Sequence, residues 1–350
     1  MIDYTQLMKS SRLLLEAPVR PVQSDRFQPT GFADIGPAVY KRPGENGEAG
    51  TQMLLVESAQ SIANRLEKTC LDGDGPHIDP ELKGIPYVVA RLKEPKADEI
   101  VTSSLVEPHR LGSPYFLRTD FADTLSKEMD YSQKGQLDWK KIYSTLFKYD
   151  PNCLIHGVFL SLLGDGRIRV ARALTGFIEA ENAKEAVSGG VKNSPVDPKG
   201  EIQVDNGKQE SGVYSNVPYS RIEFVASNIT AYFNLDTLQI GSYGLGEAAT
   251  QLLIALSLLK VRRFLASNLR LRTACIFDLA GEVRITRPEG VQLPPEAELL
   301  AEVKRLIPVC KKQFADPAVT EKTVAVKRTT KTQKQSTTEQ IEQLDEASVQ

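Results

Sequence analysis

The segment Glu247–Ser267 (EAATQLLIALSLLKVRRFLAS) carries apolar residues on nearly every face of a helix. Such a helix has no side to show water, so the rest of the chain must enclose it. A bilayer is excluded by length. The longest apolar run, Leu252–Leu259, is about half a membrane span, and Lys260, Arg262 and Arg263 follow it at once. The chain has 350 residues, 41% of them apolar, which is enough to build the enclosing core as one large domain or two smaller ones. The opening MIDYTQLMKS lacks the basic segment and apolar run of a secretory signal. The expectation is a soluble cytoplasmic protein with no membrane partner.

Cys70, Cys153, Cys275 and Cys310 are scattered and form no CxxC pair, so they read as reduced thiols rather than a zinc site or disulfide framework. His77, His109 and His156 have no second histidine at metal-ligand spacing. The glycine-rich Gly241–Gly246 reads GxxGxG and lacks the Gly-Lys-Ser/Thr of a nucleotide loop. Neither a nucleophile elbow nor a kinase signature is present. No cofactor and no metal are expected. A formal net charge of -2 means that any basic surface must be local.

Read in order, Arg12–Val19 is a strand, and Met53–Glu67 a helix with Leu55, Ala59, Ile62 and Leu66 on one face. Tyr87–Leu92 is a strand, and Asp120–Met129 and Asp138–Phe147 are short helices opened by aspartates. Leu154–Leu160 reads as a strand, while Arg167–Glu181 fits strand or helix. Ser188–Val217 is glycine- and proline-rich and reads as a long mobile insertion. Ile222–Leu235 holds strand material ahead of the enclosed helix. Arg272–Asp278 and Glu282–Arg287 resemble a hairpin turned at Ala280-Gly281, and Pro295–Phe314 is a last helix. From about Thr320 the tail is polar and reads as disordered. The strong elements run strand, helix, strand, insertion, strand, helix, strand. That is an α+β, ferredoxin-like βαββαβ outline, shared by RNA-recognition modules. The domain division is one domain over 1–319, with insertions at about 68–150 and 185–220, and a tail over 320–350.

Ser58, Ser61 and Arg65 fall at i, i+3 and i+7 of the first helix, with Asn64 on its flank. Such a row can take successive phosphates, or it can be an ordinary solvated face. Gly244 and Gly246 precede a helix whose amides attract phosphate, or they form a plain turn. Arg167, Arg169 and Arg172 make one basic cluster, and Lys260, Arg262 and Arg263 another. Arg20 and Arg26 flank a loop with Phe27 and Phe32. Basic residues interleaved with aromatics suit single-stranded nucleic acid.

Four ordered segments carry a family resemblance: Phe27–Gly36 (FQPTGFADIG), Leu55–Glu67 (LVESAQSIANRLE), Ser103–Tyr115 (SSLVEPHRLGSPY) and Gly244–Thr250 (GLGEAAT) with its leucine-rich helix. Together they resemble the RAMP-superfamily backbone subunit of type I-G (I-U) CRISPR Cascade effector complexes, over about residues 10 to 310. The resemblance implies a modified RNA-recognition fold with palm, fingers and thumb. It implies copies of the chain packed head to tail along one CRISPR RNA, with other Cascade subunits as partners and target DNA engaged through the guide. Specificity would then lie in base pairing, as in other guided effectors. A separate helicase-nuclease would do the cutting, so the chain is expected to be no enzyme. The RNA-binding residues expected on this reading are Arg26, Gln28, Thr30, Ser58, Ser61, Asn64, Arg65, Ser103, Ser104, His109, Arg110, Arg169, Arg172, Gly244 and Gly246. The segment around Ser103–Arg110 is the candidate thumb or its base.

Two enzymatic alternatives stand beside it. A RAMP endoribonuclease would process the guide precursor with His77 or His109 as acid/base. A target-RNA nuclease would use a loop aspartate among Asp72, Asp74 and Asp79.

Overall fold

The computed structural model describes residues 2–32, 34–44, 50–93, 99–196, 198 and 217–325. At its centre is an eight-stranded antiparallel sheet. In chain order its strands are β1 (Leu13–Pro21), β2 (Val39–Arg42) and β3 (Thr51–Glu57). Two strands of a smaller sheet follow, β4 (Tyr87–Leu92) and β5 (Ile100–Ser103), then the short pair β6 (Val158–Phe159) and β7 (Arg169–Val170). A long hairpin system comprises β8 (Leu174–Glu181), β9 (Lys184–Lys192), β10 (Val217–Val225) and β11 (Asn228–Leu235). The last strands are β12 (Arg270–Arg272), β13 (Cys275–Leu279), β14 (Arg284–Arg287) and β15 (Val319–Val324). The order across the central sheet is β12-β13-β1-β11-β8-β3-β2, with β14 also on β1.

Two helices cover one face, α1 (Ala59–Lys68) on β8 and the enclosed helix, here α5 (Glu247–Ala266), on β11. Between α1 and α5 in the chain lie α2 (Phe121–Glu128), α3 (Trp139–Tyr149) and α4 (Asn152–His156); α6 (Glu296–Cys310) packs on α5. Fourteen of the 20 residues of α5 are buried. Each buried Leu, Ile or Phe contributes about 1.5–3 kcal/mol by leaving water, so this helix is the core's main apolar contribution. Along β1, Leu13, Leu15, Ala17 and Val19 point into that core, while Leu14, Glu16 and Pro18 face the open side. No helix among the described residues is long and apolar enough to cross a membrane.

Several elements differ from the sequence expectation, each for a visible reason. Met53–Glu67 is not one helix. Thr51–Glu57 is a strand hydrogen-bonded between β2 and β8, and Ser58 caps α1 by accepting from the Ser61 amide at 3.3 Å. Two ladders outweigh the helical spacing of Leu55 with Ala59 and Ile62. Tyr87–Leu92 is indeed a strand, but it lies outside the central sheet. The strand beside β11 is β8, where Leu174, Gly176, Ile178 and Ala180 are buried with period two. Asn152–His156 is helical, opened by Asp150 Oδ1 accepting from the Asn152 amide and ended by Gly157 at φ 79°.

Residues 188–192 are not loop. β9 and β10 pair from Lys184↔Val225 to Lys192↔Val217 and prolong β8 and β11 beyond the sheet. Residues 197 and 199–216 of that insertion lie outside the described residues. β13 and β14 do not form a hairpin. Both pair with β1, one after the other along the same edge, and the hairpin partner of β13 is β12. The chain is ordered past 319, because Val319–Val324 runs parallel to β4, held by Arg91–Glu321 at 2.8 Å and Lys322–Asp120 at 3.0 Å. Residues 326–350 of the expected tail lie outside the described residues.

Candidate nucleic-acid interface

The end of β3 delivers Glu57 into the core, 1% exposed, and α1 starts just after it, past the Ser58 cap. A buried carboxylate needs cationic partners, and two arginines supply them. Arg65, two turns into α1, donates Nε to Glu57 at 3.4 Å, and Arg272 from β12 also contacts this carboxylate. The guanidinium of Arg65 reaches on to the carbonyls of Arg270 and Leu271; that of Arg272 reaches the carbonyls of Gln28 and Val56, each at 3.1 Å. Burial lowers the Arg65 pKa, but from an ordinary value far above neutrality, so it stays charged. One carboxylate therefore faces two guanidiniums, and the excess charge is positive.

The rim adds to that excess. Arg270 is exposed and makes no ion pair among the described residues, and Lys68 is exposed with only the distant Asp74 at 3.9 Å. Arg65, Lys68, Arg270 and the Ser267 turn line a shallow cleft. Gln28 and Thr30 are tied in by backbone bonds, Gln28 N to Ala274 O at 2.8 Å and Thr30 N to Val56 O at 3.0 Å. Of the expected residues, Gln28, Thr30, Ser58 and Ser61 lie towards the start of α1, and Arg65, in its last turn, reaches back to Glu57. Ser58 itself is the cap and not a member of a helical stripe, leaving Ser61 and Arg65 at i and i+4. The positive end of the α1 dipole lies at Ser58 and Ser61, whereas Arg65 and Lys68 stand in its last turn, where cations suit the negative end. Arg26 stands on an adjoining cleft, 3.9 Å from Glu223 of the hairpin.

The opposite flank of α1 carries a second cluster. Gln60 accepts from Arg172, and Asn64 is exposed one turn on. Behind them β6 and β7 pair Phe159 with Arg169, and the guanidinium carbon lies 3.9 Å from the ring centroid. His109 is exposed on the turn below, where a side chain at Gly112 would strike the Phe159 carbonyl.

Other expected residues are elsewhere. Ser103 and Ser104 are buried at the end of β5, and Ser104 Oγ accepts from the Val88 amide at 3.2 Å. Arg110 is buried, donating through Nε and Nη2 to both oxygens of Glu67 and through Nη1 to the Gly157 carbonyl at 3.0 Å. These three hold the fold and offer nothing to a ligand in this arrangement. Gly244 and Gly246 are exposed at the start of α5, a helix of 20 residues, whereas Phe264 near its other end lines the Arg65 cleft. At about 1.5 Å per residue that separates them by roughly 30 Å. The cations closing α5 are also structural: Arg262 binds the Leu293 and Pro294 carbonyls, and Arg263 binds Asp79, Glu81, Glu296 and the Thr69 carbonyl. That leaves Asp79 engaged, also capping Glu81 N, while Asp72, Asp74 and His77 are exposed.

Sequence reasoning passed over Arg270, Arg272 and Phe159. The alternating Arg-Leu-Arg at 270–272 was the available signal for the first two. For Phe159 the spacing offered none, because its neighbourhood depends on β6 turning back onto β7.

Beneath the second cluster sits a buried polar network. Lys260 Nζ donates to Asn152 Oδ1 at 2.6 Å and to His156 Nε2 at 2.9 Å. Burial, then the charges of Lys260, Arg110 and Arg172, push the His156 pKa well below its ordinary value. The unfolded chain therefore binds a proton below about pH 6.5 that the folded chain refuses. Stability should fall as pH drops through that window, by about 1.4 kcal/mol per unit from this residue. Urea unfolding at several pH values should show a shallower loss in His156→Asn, which keeps an acceptor for Lys260. Equal slopes in the two proteins would contradict the assignment.

Comparison with known proteins adds a partial family match. Residues 13–185 match the model of the family described as CRISPR-associated protein GSU0053. Among solved structures, one described as "CRISPR RNA-guided surveillance complex, pre-nicking" is 12% identical, with 85% of this chain and 89% of that chain covered and a TM-score of 0.36. Another, "CRISPR RNA-guided surveillance complex", is 13% identical over 86% of this chain and 88% of that chain, with a TM-score of 0.29. No curated protein matches.

Proposed function

From the match of residues 13–185 to the family described as CRISPR-associated protein GSU0053, we propose that the chain is a non-catalytic, RNA-gripping backbone subunit of a type I-G CRISPR surveillance complex. The observation that carries this reading is the convergence of Arg65 and Arg272 on the buried carboxylate at the end of β3, with Arg270 and Lys68 exposed in the cleft beside Arg65 at the last turn of α1. A cationic cleft lined by Arg65, Lys68, Ser267 and Arg270 suits a phosphate backbone and reads no base edge. That is what a subunit needs if the guide, not the protein, carries sequence information.

The ferredoxin-like palm is supported by the chain order β1, α1, β8, β11, α5, β13 with the sheet order β13-β1-β11-β8. The thumb falls to the β9–β10 hairpin in place of Ser103–Arg110, since it prolongs two central strands and leaves Val187, Val191, Tyr219 and Ile222 exposed. Those apolar side chains suit a contact with the next copy, and repeated head-to-tail contacts build an open filament along the RNA. The helices between β5 and β6 would be the fingers. Target DNA is then met only by pairing with the held guide, in the company of other Cascade subunits.

The test is to purify the chain from cells expressing its native CRISPR locus and to sequence the nucleic acid that accompanies it. Guide-length RNA of uniform size in a multi-copy particle is the expected result. A monomer free of RNA at low salt, where phosphate contacts are strongest, would overturn the reading.

A further inference from the structure

We propose that Phe159, stacked with Arg169, is a platform for one unpaired nucleobase of a bound single-stranded RNA. The inference rests on the RNA-binding reading above and adds to its phosphate groove a contact of a different chemical kind.

Phe159 is 40% exposed, and its exposure is not that of a stray core residue. Its neighbours Val158 and Leu160 are buried, so the pleat of β6 turns this one ring outward. Arg169, directly opposite on β7, lays its guanidinium 3.9 Å from the ring centroid, which is van der Waals contact. Arg169 makes no ion pair among the described residues. A planar cation and an aromatic ring side by side at the surface both stack on bases, irrespective of sequence.

The position is rigid and electropositive. The backbone behind Phe159 is clamped on both sides. Gly112 packs against its carbonyl, and Arg110, itself held by Glu67, donates to the Gly157 carbonyl two residues earlier. The charges near this platform are the cations Arg110, Arg172 and Lys260 and the carboxylates Glu67 and Asp150. The balance favours an anionic strand. Arg172, whose one side-chain partner among the described residues is the neutral Gln60, is placed to take the phosphate beside the stacked base. Because Gln60 and Asn64 share α1 with Ser61 and Arg65, a strand crossing that helix meets the phosphate cleft on one flank and the platform on the other.

The experiment compares binding of two labelled probes to the purified full-length chain by fluorescence anisotropy. One probe is oligoadenylate RNA; the other is a ribose-phosphate strand of equal length without bases. Phe159→Ala is expected to weaken oligoadenylate binding roughly 5- to 100-fold, the effect of losing one stacked base, and to leave the abasic probe nearly unchanged. Phe159→Tyr, which keeps the ring, should bind both probes as the parent does and guards against a folding artefact. If the parent binds oligoadenylate and Phe159→Ala binds it equally, the platform is refuted while the phosphate groove stands. The platform is refuted equally if Phe159→Ala weakens both probes alike. If the parent binds neither probe, the RNA-binding reading itself fails and takes the platform with it.

Discussion

Arg110→Met should destabilise the protein by about 3–5 kcal/mol, and the double replacement of Arg110 and Glu67 by Met should cost far less. Arg110 is 5% exposed, so its side chain has no route to water. Burial alone lowers its pKa, but the charge and hydrogen bonds of Glu67 more than offset that and leave it raised. The pair is stable only as a pair. Removing the guanidinium leaves Glu67 facing the interior uncompensated and leaves the Gly157 carbonyl without its donor. Removing both charges avoids the stranded carboxylate. Urea unfolding, followed by circular dichroism, checks both proteins. A single variant within about 1 kcal/mol of the parent, or a double variant as unstable as the single, would show that this pair does not hold α1 to the 105–112 segment as described.

Arg270→Glu should lower affinity for single-stranded RNA by roughly ten- to a hundredfold at low salt while leaving the melting temperature unchanged. Combining it with Arg65→Glu should lower affinity further. Arg270 is exposed and makes no ion pair among the described residues, so its effect is on the ligand alone. Arg65 shares its charge with Glu57, and the double variant therefore needs a folding control. The informative readout is salt dependence. The slope of log affinity against log salt should shrink by about 0.7 for each phosphate contact removed from a single strand. Arg284→Glu is the comparison, because Arg284 is an exposed cation outside that cleft, on β14 and 3.5 Å from Glu16. If Arg270→Glu matches Arg284→Glu in affinity and slope, the cleft at the last turn of α1 is not where RNA lies.

The local features legible in the sequence were those where one element's own pattern suffices. The all-apolar face of Glu247–Ser267 demanded enclosure, and α5 is enclosed. Asp138 opened a helix, and its carboxylate accepts from the Lys141 amide at 3.1 Å. Period two in Leu174–Ala180 was present in the letters, yet helix and strand could not be separated until β11 and β3 supplied partners on both sides. The same ambiguity misled at 53–57, where Leu55, at helical spacing from Ala59 and Ile62, is a strand residue because two ladders claim the backbone there.

The site shows the division more sharply. Arg65 is legible as a cation on a helix flank. That it is doubled by Arg272, more than 200 residues away, follows only from β13 docking on β1 and bringing β12 with it. Arg110 and Ser104 look like ligand-binding residues in a polar stretch, and long-range packing turned them inward, where Glu67 and the Val88 amide consume their hydrogen-bonding capacity. Side-chain identity decides what can carry charge or stack, and periodicity decides which face of one element is dry. Which charges meet and which remain open to a ligand depends on contacts between distant segments, because desolvation and pairing are properties of a place in the fold.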